Sequence, residues 1–438
     1  MRQNEKDKLN RETERKHWWL RFVMGCRSVV TDWKKAIVLT VYIFAATVLW
    51  ILSVDYITLP EGDMISPVFP MILPLIVPVC CIGGLFLLMV ILGTPLGVGS
   101  TDSGFQRIGL TNHAGETPTM LTACKDDKNP HVSVMEFEAN GIPKSVWENK
   151  QDMIEAALNT NIVKISEGKD KRRILLYTVS AKTRLAPVIY WKDAFLSNEN
   201  FVLTLGESML GAVTTNLAKV PHILLGGSTG SGKSILLKLL IMQCVKKGAV
   251  VYIADFKGGV DFPEVWHRKC RMVFEKTDLS ELLTSLVDEL NQRKMILREN
   301  GHANIDDYNN STNADLKRII IACDEVAEVL DKTGLGKDEK ELVMQIESKL
   351  SIIARQGRAF GIHLILATQR PDATILTGQI RNNIDFRVCG RADNVLSQII
   401  LDNTDAADQI PKDAQGRFIT GDGAVFQGYL FDEGKAFV

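Results

Sequence analysis

Between Lys35 and Arg107 the 438-residue chain carries no lysine or arginine, although it holds 51 basic residues elsewhere. A water-facing surface of that length would need charge, so this interval points to a membrane. Within it Ala36 to Val54 is an apolar run of 19 residues. As a helix it is about 28 Å long, against a hydrocarbon core of about 30 Å. It is read as a transmembrane helix. A secretory signal is the competing reading, but the 35 residues ahead of it are too long for a signal's basic leader, and Ser53, Val54 and Asp55 offer no small-x-small cleavage pattern. A second apolar run extends from Met64 to Leu92, with Pro67, Pro70, Pro74 and Pro78 crowded into its first half. Each would remove a backbone donor from a helix interior. The expected second span is therefore Leu75 to Leu92, with Pro78 in its first turn, and a re-entrant segment is the alternative.

Charge orients the two spans. The first 35 residues hold ten basic and five acidic side chains, whereas the segment 55–74 between the spans holds only Asp55, Glu61 and Asp63. The amino terminus is expected in the cytoplasm, and a second crossing returns the rest of the chain there, giving a two-pass protein of the cell membrane with both termini cytoplasmic. Trp18, Trp19, Trp33, Trp50 and Tyr56 flank the first span as an aromatic belt would. None of the eight cysteines forms a Cys-x-x-Cys pair, and Cys80 and Cys81 fall inside the second span, so no disulfide framework or zinc site is indicated. The net charge of -1 excludes a protein that coats nucleic acid by overall basicity.

Residues 93–104, rich in Gly, Ser, Thr and Pro, are expected to form a linker. Residues 105–219 read as a small α/β domain, with strands over 132–137 and 174–179 and an amphipathic helix over 143–158. No catalytic constellation occurs in it. After Pro221 the rhythm changes to short apolar runs alternating with helices, which predicts an α/β fold over 220–438 with a parallel sheet and helices on both faces. The expected strands are 222–225, 249–254, 272–274, 319–323 and 362–367. Asp278 and Glu281 suggest a capping box for a helix that Gly301 stops.

Directly after the first of these strands, Gly227, Ser228, Thr229, Gly230, Ser231, Gly232, Lys233 and Ser234 satisfy G-x-x-x-x-G-K-[ST]. The predicted helix 234–247 follows at once, which is the context that makes the motif a phosphate loop. The glycines let successive amides face phosphate oxygens, Lys233 neutralises β/γ charge, and the Ser234 hydroxyl completes a Mg²⁺ shell. The strand 319–323 ends in Asp324 and Glu325: Asp324 is placed to hold Mg²⁺ through water, and Glu325 to orient or deprotonate the attacking water. A carboxylate pair that merely caps the next helix is the bland alternative. Gln369, at the end of the strand 362–367, could sense the γ-phosphate or be a turn residue. Together these residues point to ATP hydrolysis. Arg387 and Arg391 are candidates for an arginine finger reaching a neighbouring subunit, with Arg355, Arg358 and Arg381 as other choices.

These residues resemble the FtsK/SpoIIIE family of membrane-anchored DNA translocases. The likeness runs from about Phe201 to Val425: LAKVPHILLGGSTGSGKS from Leu217 to Ser234, Asp255 to Lys257, Glu289 with Arg293, Asn304 to Asn309, the Asp324 and Glu325 pair, and GIHLILATQRP from Gly361 to Pro371. The resemblance implies a RecA-like P-loop ATPase domain, a homo-hexameric ring with DNA in its channel, and ATP with Mg²⁺ at subunit boundaries. It assigns Lys233, Ser234, Asp324, Glu325 and Gln369 the roles above. Chromosome-segregating members typically carry four spans, a long linker and a winged-helix domain, whereas two spans and a short linker are expected here, with the chain ending at Val438 soon after the motor. That architecture looks more like the coupling proteins of Gram-positive conjugative elements, which deliver relaxase-bound DNA to a transfer channel. A chromosome translocase and a protein-secretion ATPase are the alternatives.

Overall fold

The computed structural model describes residues 3–55, 68–95, 98–127, 129–369, 377–435 and 437. It divides into two compact units, residues 1–183 and 184–438.

In the first unit, helix Gln3–Thr31 is followed by two apolar helices, Trp33–Asp55 and Val68–Leu92. Only 6% of the apolar stretch of the first and 11% of the second is buried, unlike the core helix of a soluble protein. Both are long and apolar enough to cross a membrane. The second starts earlier than Leu75, with Pro74 and Pro78 inside it. In hydrocarbon, where the sequence places this helix, no water would compete for the remaining backbone bonds, which would hold it across the two missing donors. The two helices meet in antiparallel register: Lys35 Nζ donates to the Leu92 carbonyl (2.7 Å) and Tyr42 Oη to the Cys81 carbonyl (2.8 Å). Gly84 makes room for this approach, since a Cβ there would lie 2.3 Å from the Tyr42 oxygen. Most of the expected loop 55–74, with Tyr56 and Pro67, lies outside the described residues.

The expected linker differs. Helix Val98–Arg107 covers its second half, because Phe105 is fully buried against Phe137 and Trp147 and pins the segment to the domain. Four antiparallel strands, β1 (Thr119–Lys125), β2 (Ser133–Glu138), β3 (Thr160–Glu167) and β4 (Arg173–Ser180), pair in the order β1-β2-β4-β3. The single helix expected over 143–158 is two, Lys144–Asn149 and Gln151–Leu158. Lys150 breaks it: its backbone leaves the helical region, while its Nζ donates to the carbonyls of Ile108 (3.1 Å) and Gly109 (2.7 Å).

The second unit is one mixed sheet of eleven strands among the described residues. In chain order these are β5 (Ile189–Tyr190), β6 (Val202–Ser208), β7 (Gly211–Asn216), β8 (Ile223–Gly226), β9 (Val250–Ala254), β10 (Arg271–Val273), β11 (Ile319–Cys323), β12 (Ile362–Thr368), β13 (Phe386–Cys389), β14 (Arg417–Thr420) and β15 (Val425–Leu430). Six of them pair in parallel in the order β10-β9-β11-β12-β8-β13, the expected core. The sheet then continues antiparallel through β14, β15, β6 and β7, with the short β5 beside β15. Short connections dictate two of these pairings, β6 with β7 across two residues and β14 with β15 across four, because such links can join only antiparallel neighbours. Strands β6 and β7 therefore belong to the larger unit, and the boundary falls near residue 183 rather than 219.

Alternation along the strands feeds a core on each face. Ile223 and Leu225 pack with Leu236, Leu240 and Met242 of helix Lys233–Lys246, while Leu224 faces Leu283, Leu290, Val343 and Ile353 of helices Lys276–Glu299 and Lys337–Phe360. The expected capping box is absent: Glu275 is the N-cap, without a side-chain bond, and Asp278 instead lies in the first turn, where the helix dipole favours it. Gly301, at φ +71°, follows the end of that helix.

Trp266 is fully buried, stands edge-on to Phe262 and Phe437, and donates Nε1–H to Glu433 (2.8 Å). Trp266→Ala is expected to lower unfolding free energy by about 3–5 kcal/mol in a urea titration, and a loss under about 1 kcal/mol would contradict this packing.

Candidate active site

Parallel strands bring their carboxyl ends to one edge, where loops from different parts of the chain converge. Register makes this concrete: Thr368 of β12 pairs with Gly226 of β8, and Cys323 of β11 pairs with both Leu366 and Ala254. The phosphate loop, Asp324 with Glu325, Gln369 and Asp255 therefore leave the sheet side by side.

Gly230 and Gly232 adopt φ of +76° and +96°, a left-handed conformation that side chains resist, and Gly232 starts the helix Lys233–Lys246. A Cβ on Gly232 would also lie 3.1 Å from the Gly416 Cα. Arg391 braces the loop through its own chain: its carbonyl accepts from Ser228 N (2.8 Å), and its guanidinium donates to the carbonyls of Thr229 and Lys412 (2.6 Å each).

Lys233 and Asp324 form a buried ion pair, each side chain 3% exposed, with Nζ 2.9 Å from Oδ1 and 2.6 Å from the Asp324 carbonyl. Ser234 Oγ donates to the same carboxylate oxygen (3.0 Å), and Lys257 Nζ reaches Oδ2 (3.1 Å). Burial raises the pKa of Asp324, but Lys233 and Lys257 more than offset it and hold the carboxyl below its ordinary 3.8. Burial likewise opposes the charge on Lys257, yet Asp324 and Asp261 raise its pKa overall.

Glu325 is held at both oxygens, accepting from the Thr368 hydroxyl (2.7 Å) and Gln369 N (2.9 Å). The Gln369 side chain accepts from the Thr229 hydroxyl (2.9 Å). One short path thus joins Glu325, Gln369 and the phosphate loop. Arg370 and Pro371, quoted with that motif, lie outside the described residues. Arg387 is drawn inward, donating to Asp402 and to the Ile384 and Arg381 carbonyls. Arg355 and Arg358 donate to the Ser351 and Ala218 carbonyls.

Lys257 and Asp261 had no role assigned from the sequence. Their signal was position, since Asp255 and Lys257 follow β9, which neighbours β11. The two residues line a cleft of about 270 Å³ with the phosphate loop, Gln369 and Gln415. A larger, mainly apolar pocket of about 780 Å³ shares Gly232, Ile235 and Gln415 with that cleft and is walled by Leu236, Pro411, Phe418 and Tyr429. Its residues are scattered along the sequence and meet only through the antiparallel half of the sheet.

This fold and edge define a P-loop ATPase domain. A family model described as the FtsK/SpoIIIE family matches residues 187–331. The DNA translocase FtsK of Campylobacter jejuni subsp. jejuni (strain 81-176) is 29% identical over 293 residues, which cover 62% of this chain and 30% of that protein. The FtsK of Clostridium acetobutylicum is 30% identical over 241 residues, covering 51% of this chain and 30% of its own length. Among solved structures, that of the pCW3 conjugation coupling protein TcpA, in a monomer form with ATPγS, is 34% identical with a TM-score of 0.58, covering 78% of this chain and 97% of that one. The chain belongs to the FtsK/SpoIIIE family. It spans about 30% of the length of the curated FtsK proteins it matches.

Because the folded-state pKa of Asp324 is depressed, its ionisation stabilises the fold above pH 3.8, and that contribution is lost as pH falls through the lower folded value. Asp324→Asn should flatten the acid side of the stability profile, as read from urea midpoints against pH. An unchanged acid limb would show that the pair does not hold in solution.

Proposed function

We propose that the chain hydrolyses ATP at this cleft to move DNA as the coupling protein of a conjugative element. The observation that carries the reading is the 34% identity to a conjugation coupling protein, with 97% of that chain covered.

The residues fit a nucleotide. The phosphate loop offers backbone amides, and the buried Ser231 hydroxyl has no hydrogen-bond partner among the described residues. The apolar pocket beside Gly232 has room for a base. Mg²⁺ would be held by Ser234 and Asp324 and would neutralise phosphate charge. In the reaction, water attacks the γ-phosphorus as the bond to the β,γ-bridging oxygen breaks, giving ADP and inorganic phosphate. Glu325 takes the proton from that water, releasing one of its two present donors to do so. Gln369, bonded to Thr229 on one side and Glu325 on the other, relays the change at the γ-position to β12. Arg391 contributes positive charge to its own phosphate loop, and a trans finger drawn from Arg387 would first have to leave Asp402.

The proposed assembly is a homo-hexamer with DNA in its channel, anchored by two spans with both termini cytoplasmic, and partnered by a relaxase and transfer-channel proteins. The ring needs positive charge only along its channel, which a near-neutral chain can supply.

DNA is expected to stimulate ATP turnover by the full chain in detergent. Glu325→Gln should keep nucleotide binding but lose about 100- to 10,000-fold in turnover, and Lys233→Ala should lose binding as well. Turnover indifferent to every DNA would favour a protein-secretion ATPase instead.

A further inference from the structure

At the end of the two apolar helices where Lys35 meets Leu92, the first unit has a cavity of about 430 Å³. Its wall carries four cations, Arg27, Lys35, Lys169 and Arg173, against a single carboxylate, Glu136. Glu136 is already bonded to Arg173 (2.7 Å). Arg27 and Lys169 are exposed and have no acidic partner among the described residues. Lys35 donates to the Leu92 carbonyl and keeps further N–H directions free. Cations gathered into one pocket repel one another unless an anion joins them.

The position of the pocket says which anion. Lys35 lies in the first turns of one apolar helix and Leu92 closes the other, so the cavity lies at the level where both leave the hydrocarbon. Next to Leu92 and one turn along from Lys35, Ile91 and Val38 are 65% and 45% exposed, an apolar surface on which acyl chains can lie. A free phosphate would gain the same charge but nothing from that surface. We propose that this pocket binds the headgroup of an anionic phospholipid, an inference that rests on the membrane placement proposed above. Basic pockets at the cytoplasmic ends of membrane helices suit such headgroups, and each cation contributes about a five-fold preference.

The test embeds the full chain in vesicles of mixed phosphatidylcholine and phosphatidylglycerol, then releases it in mild detergent and weighs it intact with its retained lipids. Phosphatidylglycerol should be retained in preference, and Arg27→Gln with Lys169→Gln should reduce that preference about 25-fold, at two cations of about five-fold each. Added inorganic phosphate should not displace the lipid. Equal retention of both lipids, or displacement by phosphate, would overturn the site while leaving the membrane placement intact. Carbonate washing of the same vesicles separates the two claims, since a chain that washes off overturns the membrane placement and the lipid site with it.

Discussion

An ammonium and a carboxylate almost wholly removed from water, those of Lys233 and Asp324, form the interaction on which the rest of the ATPase domain depends. A lone charge in that position would cost several kcal/mol, so the two must be held together by a frame that does not yield. The frame is the parallel half of the sheet, where β8 delivers the phosphate loop and β11 delivers Asp324 with one strand, β12, between them. Ser234 and Lys257 complete the cluster. On the proposed function, the pair keeps both charges neutralised until nucleotide phosphates and metal take over the same partners. On that reading the buried charge serves the chemistry as well as the stability it lends above pH 3.8.

The strand β12 between them is more than a spacer. Through Thr368 and Gln369 it touches Glu325 on one side and Thr229 on the other. A change in the occupant of the phosphate loop therefore reaches Glu325 through two hydrogen bonds and one side chain. That path is the structural basis for coupling hydrolysis to movement in the proposed mechanism.

Much of this was legible in the sequence, and the reasons differ from element to element. The strand over 319–323 and the phosphate loop could be read because buried parallel strands are continuous apolar runs and the loop is a contiguous motif. Strands β6 and β7 fall in the larger unit rather than the small domain, because β6 pairs with β15, more than 200 residues away, and nothing local records that pairing. The second apolar helix starts at Val68 rather than Leu75, since proline rules drawn from water weaken where, as in hydrocarbon, backbone groups have no competing partner. Lys257 was visible as part of a motif, but its bonds to Asp261 and Asp324 depend on a turn that brings it back over the sheet edge. The inward ties of Arg387 and the apolar pocket beside Gly232 are likewise products of tertiary folding.

The central claim is that ATP turnover at this edge moves DNA, and the most direct measurement is the extension of a single tethered DNA molecule held with the full-length protein. The account predicts steady, ATP-dependent travel along the DNA that stops when ATPγS replaces ATP. Turnover of ATP with no travel on any DNA would contradict it.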